Sequence, residues 1–244
     1  MLVVAALLSL QEYKLELQRF DRFTVRLEIQ TEIASSDGRD SKHTAELEIA
    51  YECDKADGAA LVLDGYVQFA KAAGTARGRD FSYEWKKGGT AKITGQKHAA
   101  HGHLEKAFKV KLDNRGAISD TGLVEYLDAF PVLNPQALLG LPCPLGSGAA
   151  WKSARARHDY FGGFSVESSG KADGAALSAR LAYASPDTEV PVEGMINVKG
   201  EAEATGEFDA KTKRPVKGEC TVKLTSAQGG LRREVTQRIV WTVR

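Results

Sequence analysis

From Phe23 to Ile33 the side chains alternate without a break, with Phe23, Val25, Leu27, Ile29, Thr31 and Ile33 on one phase and Thr24, Arg26, Glu28, Gln30 and Glu32 on the other. Successive side chains of a strand point to opposite faces, so this run specifies a strand with one buried and one wet face. A helix there is excluded, because its apolar positions would recur every three or four residues. The pattern returns in Ala45, Leu47, Ile49, Tyr51 and Cys53, and again in Val235, Ile239, Trp241 and Val243. Parallel strands are covered on both faces and carry continuous apolar runs, so the alternation predicts an antiparallel sheet. Tyr13–Gln18, Ala60–Ala70, Phe81–Trp85, Ala107–Leu112, Trp151–Tyr160, Leu177–Tyr183, Met195–Phe208 and Glu219–Thr225 are further strand candidates. Glycine-containing turns such as Ser36-Asp37-Gly38, Ala56-Asp57-Gly58 and Asn114-Arg115-Gly116 separate many of them. Strands near eleven residues reach roughly 36 Å, twice the usual span, which predicts a strongly twisted, curled sheet.

One stretch breaks the alternation. Leu123, Tyr126, Leu127 and Phe130 fall at helical spacing, and Pro135 to Gly140 also lacks a period of two, so two short helices are expected there. Leu141 to Gly148 follows, with prolines that cannot donate to a ladder and glycines that loosen the chain. It is expected to act as a connector. On either side of it Lys55-Ala-Asp-Gly-Ala-Ala-Leu61 reappears as Lys171-Ala-Asp-Gly-Ala-Ala-Leu177. The expected organisation is therefore a possible truncated signal peptide (1–10), an N-terminal β half (11–122), a helical and proline-rich connector (123–148) and a related C-terminal β half (149–244).

With 33 Lys and Arg against 32 Asp and Glu, the chain has no basic surplus to neutralise phosphates, so nucleic acid is not an expected partner. The apolar run Met1–Leu10 has the length of a secretory h-region and is too short to span a bilayer. No Lys or Arg precedes it and no Ala-x-Ala-like site follows, so the expectation is a signal peptide truncated at its start, in a periplasmic or secreted protein, against a buried first strand or helix of a cytosolic one. Cys53, Cys143 and Cys220 lack Cys-x-x-Cys spacing. Cys53 and Cys220 sit in strand-like segments and either bridge or remain buried free thiols.

Catalytic motifs fail on inspection, so no enzymatic activity and no cofactor are expected. Asp120-Thr121-Gly122 has the core of an aspartic protease signature, but Ser119 and Leu123 are wrong flanks and no second copy exists, so a helix N-cap is expected instead. His98, His101 and His103 are spaced for Zn or Cu, yet only Glu105 adjoins them, and a solvated loop without metal is expected. Ser168-Ser169-Gly170-Lys171-Ala172 lacks the first glycine and the magnesium-binding hydroxyl of a phosphate loop.

Two β-rich halves joined by Leu141-Pro-Cys-Pro-Leu-Gly-Ser-Gly-Ala-Ala-Trp151, with Phe208-Asp209 before Gly218 echoing Leu112-Asp113 before Gly116, resemble uncharacterised secreted bacterial proteins of domain-of-unknown-function type. The chain has Gly148-Ala149-Ala150-Trp151 where that pattern has Gly-Asp-x-Trp. The resemblance implies a half-barrel similar to periplasmic lipoprotein carriers and transfers no site residues. The expected fold is mainly β, a long-stranded antiparallel sheet curled into a half-barrel or open barrel from two related halves, with one or two connector helices against its concave face. The expected function is binding or carrying an apolar ligand, such as a lipid, an acyl chain or a lipidated protein, on a wall of Leu27, Ile29, Leu47, Ile49 and Trp241 partly covered by Tyr126, Phe130, Leu138 and Leu139. The alternative is a structural or protein-interaction module of the cell envelope with a fully packed core.

Overall fold

The computed structural model describes the chain except residues 1–14, 16, 58, 59, 77, 96–103, 114, 122–131, 146–151, 154–164, 186–196, 213 and 229. The expected β architecture is present. The strands are β1 (Arg22–Ser35), β2 (Ser41–Ala56), β3 (Ala60–Ala76), β4 (Arg79–Lys86), β5 (Lys92–Thr94), β6 (Phe108–Asp113) and β7 (Ile118–Thr121). The second series is β8 (Lys152–Ser153), β9 (Ser165–Asp173), β10 (Ala176–Ala184), β11 (Asn197–Phe208), β12 (Pro215–Gln228) and β13 (Leu231–Val243). All thirteen described strands belong to one antiparallel sheet, open and curled; eleven follow the order β5-β4-β3-β2-β1-β13-β12-β11-β10-β9-β8, and β6 and β7 branch from β3. Strands β1–β5 and β8–β13 run up and down in turn, and the two series join where β1 pairs with β13.

Strand length explains the curl. β2 and β3 run 16 and 17 residues, about three times a common strand, and the right-handed twist accumulates over that span. Register shifts at Glu48/Ile49 and Cys53/Lys55 bend β2 against β3. β3 then forks, because its first part, Ala60–Gly65, pairs with β6 and its second, Phe69–Ala76, pairs with β4.

The alternation separates the two faces as expected. On the inner face, cross-strand rows run Trp241–Leu27–Leu47, Ile239–Ile29–Ala45 and Val243–Val25–Ile49. The outer face carries exposed ion pairs such as Arg26–Glu46 at 3.1 Å and Arg238–Glu219 at 2.9 Å. Solvent screens such pairs, so they keep the sheet soluble more than they stabilise it.

The repeated heptapeptide closes equivalent turns. Ala56 faces Leu61 between β2 and β3, and Ala172 faces Leu177 between β9 and β10, the second and third strands of their series. Gly174 takes φ 59°, which only glycine adopts at little cost.

Asp120 and Thr121 lie in β7, where Asp120 pairs with Lys111 and Thr121 with Val110, and the helical run they were expected to cap lies outside the described residues. The outer edge of β6 offers backbone donors and acceptors that this segment satisfies. Tyr13–Gln18 is not a strand where it is described, but an arm leading into β1. Ser165–Asp173, which the sequence leaves unassigned, is β9, and the Ser168–Ala172 segment is therefore extended.

Candidate functional site

The inner face of the sheet is occupied by the connector. Pro135–Leu139 forms a 3-10 helix: Asn134 caps it by accepting the Gln136 N–H at 3.2 Å, Pro135 presets the first turn, and Gly140 ends it at φ 74°. The second expected helix, around Tyr126 and Phe130, lies outside the described residues. Val132, Leu133, Ala137, Leu138, Leu139, Leu141, Cys143 and Leu145 are all buried, so this proline-rich segment is core and not a surface linker.

Four sheet side chains hold it by its backbone. Tyr51 Oη donates to Leu138 O at 3.0 Å, Tyr183 Oη to Leu133 O at 3.0 Å, and Trp241 Nε1 to Gly140 O at 2.8 Å. Gln237 Oε1 accepts the Leu133 N–H at 2.8 Å, while its Nε2 donates to Thr31 Oγ1 at 3.0 Å. A polar group buried without a partner costs about 1–3 kcal/mol, so these bonds fix the connector in place. Glycines make room for it: a Cβ on Gly140 would lie 2.3 Å from Val243, and one on Gly206 would lie 2.9 Å from Pro142.

Leu27, Ile29, Leu47, Ile49 and Trp241 share this inner face as expected, and Leu138 and Leu139 lie over it. None of the seven is more than 3% exposed. The structure brings them together as packing around the connector, while Tyr126 and Phe130 lie outside the described residues. His98, His101 and His103 also lie outside them, and no cluster of metal-binding side chains occurs among the described residues.

The apolar interior approaches solvent at one rim of the sheet. There Leu15, Leu17, Phe23, Leu63, Leu112, Leu139, Pro215 and Val243 line a crevice of about 30 Å³, with Arg214 the one charged residue among the described lining. That volume is about one water molecule's share of liquid. Leu15 and Leu17, both half-buried, belong to the arm before β1, and Leu15 also meets the β6–β7 turn at Gly116. The arm is tied down by a few bonds: Phe20 N–H to Cys53 O at 2.8 Å, Cys53 N–H to Asp21 O at 2.9 Å, and Arg214 Nη2 to Asp21 Oδ2 at 2.6 Å. Phe20 is 63% exposed at φ 73°, a left-handed conformation that a bulky side chain adopts only under constraint. Sequence alternation gave no hint of this crevice, because Leu15 and Leu17 fit a strand phase equally well. Two larger hollows, about 650 and 590 Å³, are open troughs on the charged outer face of β9–β13.

Neither a family model nor a curated protein matches the chain. Among solved structures, the crystal structure of Pseudomonas aeruginosa OpdK with vanillate is matched at a TM-score of 0.17 and 6% identity, over 90% of this chain and 67% of that one. A similarity this low carries no argument about fold or function.

The three cysteines are buried thiols outside any disulfide. Cys220 faces Ile239, which faces Ile29, whereas Cys53 bonds to Asp21, eight residues further along β1. The two are thus offset by about 26 Å along the strands, and a bridge needs Cα atoms within roughly 7 Å. Burial pushes the Cys220 thiol up to about 12, against a smaller opposing pull from its hydrogen bond with Asn134. Burial also raises Tyr51 and Tyr183 above the usual phenol range. The unfolded chain releases these protons at lower pH than the folded one, so the stabilisation they carry is complete below about pH 9 and declines above it. Urea midpoints at pH 7, 9 and 10.5 are expected to fall only at the highest pH. A thiol reagent at pH 8 should titrate Cys220 in denaturant and leave it unmodified in the native protein.

Proposed function

We propose that this chain is a non-enzymatic, extracytoplasmic protein that binds an apolar ligand, such as a lipid, an acyl chain or a lipidated protein, at the rim of its curled sheet. The observation that carries this reading is the rim crevice, whose lining is aliphatic and aromatic apart from Arg214 and whose cover is an arm without a strand ladder. The connector itself is a poor candidate for displacement. An acyl chain has no donors or acceptors, so expelling the connector would orphan the Tyr51, Tyr183, Gln237 and Trp241 side chains, at about 4–12 kcal/mol in total. Moving Leu15 and Leu17 exposes apolar surface that the ligand covers again. The secretory character of Met1–Leu10 supports a location outside the cytoplasm. No helix among the described residues is long and apolar enough to cross a membrane.

The packed connector favours a second reading, a structural or protein-interaction module of the cell envelope. Native mass spectrometry separates the two. Protein purified without detergent and incubated with oleyl alcohol is expected to carry one ligand per chain. No adduct, together with no lipid in a solvent extract of the purified protein, would overturn the binding reading and leave the module.

A further inference from the structure

The geometry points to a long-chain fatty acid as the ligand of the rim crevice, its hydrocarbon chain taking the place of Leu15 and Leu17 and its carboxylate taking the place of Asp21 on Arg214. This inference rests on the rim-binding reading above and adds the chemistry of the head group. Arg214 lies immediately before β12, beside Pro215, and among the described residues lining the crevice it is the one that is charged. Its guanidinium reaches across to the arm, where Nη2 meets Asp21 Oδ2 at 2.6 Å. The same carboxylate oxygen accepts the Gln18 N–H at 2.9 Å, so the turn that carries Leu17 is closed by the group that pairs with Arg214. A ligand carboxylate offers Arg214 the charge-assisted hydrogen bonds that Asp21 now makes. Losing that pairing frees the arm. A neutral alcohol of equal length buries the same hydrocarbon and cannot compete for the guanidinium, and a cationic head group would be repelled by it.

The held conformation of the arm is consistent with such an exchange. Phe20 is kept in the left-handed region with its ring exposed to solvent and the Arg19 guanidinium stacked on it, 4.8 Å from the centroid. Arg214 is 45% exposed and Asp21 24%, so a ligand head group can approach the pair from solvent.

Calorimetric titration of the full chain with oleate and with oleyl alcohol tests the inference, with thermal unfolding as the check on folding. Asp21 already holds the guanidinium, so oleate is expected to bind tighter than the alcohol by less than the about 10-fold to 100-fold that an uncontested hydrogen bond to a charged group gives. Arg214→Gln should abolish the preference for oleate over the alcohol, although the freed arm raises the affinity for the alcohol. Asp21→Asn, which frees the arm and also removes the competing charge, should widen the preference for oleate, and it carries the test if Arg214→Gln lowers the unfolding midpoint. Equal affinities for oleate and oleyl alcohol in the unaltered chain would overturn the head-group assignment while the rim-binding reading stands. Binding of neither would overturn both.

Discussion

Trp241→Ala should remove most of the stability of this protein. The indole is 1% exposed, lies in the inner row with Leu27 and Leu47, and donates to Gly140 O at 2.8 Å. Truncating a buried aromatic costs about 3–5 kcal/mol, and the orphaned Gly140 carbonyl adds about 1–3 kcal/mol. A domain has about 5–15 kcal/mol in total. The space is also shaped for this ring, since a Cβ on Gly218 would lie 2.3 Å from it. Urea unfolding followed by circular dichroism should show the midpoint collapse. Trp241→Phe should recover the packing and lose only the hydrogen bond.

Leu47→Ala should cost about 2–5 kcal/mol in the same experiment. Leu47 is 2% exposed, faces Leu27 across β1 and Ala70 across β3, and lies on the face that the connector covers. On the wall of an open ligand groove the side chain would already meet solvent or ligand, and its removal would cost far less. A measured loss below about 1 kcal/mol would mean that Leu47 borders unfilled space, contrary to the packing described.

Where one sheet face is buried and the other wet, the sequence announces the strand, and β1, β2 and β13 were legible for that reason. β9 was hidden because its inner face carries Ser168 and Gly170, small residues that suggest a loop when read alone. The connector was expected against the concave face, but only as a partial cover. Prolines and glycines mark irregular backbone, and irregular backbone usually lies at the surface because its polar groups need water. Here Tyr51, Tyr183, Gln237 and Trp241 supply the missing partners from the sheet, so an irregular segment can be core. Those partners lie far away in the chain, and no local pattern reports them. The inner-face residues were identifiable by phase, but what fills the space above them was not. The rim crevice depends on where the arm crosses the sheet end, which a short apolar alternation does not encode.

The pairing of β1 with β13 brings the first and last described strands together in the middle of the sheet. During synthesis β1 therefore waits with one long edge open until β13 emerges, and the row Trp241–Leu27–Leu47 cannot close before then. A central seam made of the most distant segments gives high contact order, for which folding in milliseconds to seconds is the rule. Until that seam closes, the N-terminal meander exposes a long unpaired strand of the kind that other chains pair with readily. The burden of keeping this protein out of aggregates thus falls on the interval between the appearance of β1 and that of β13.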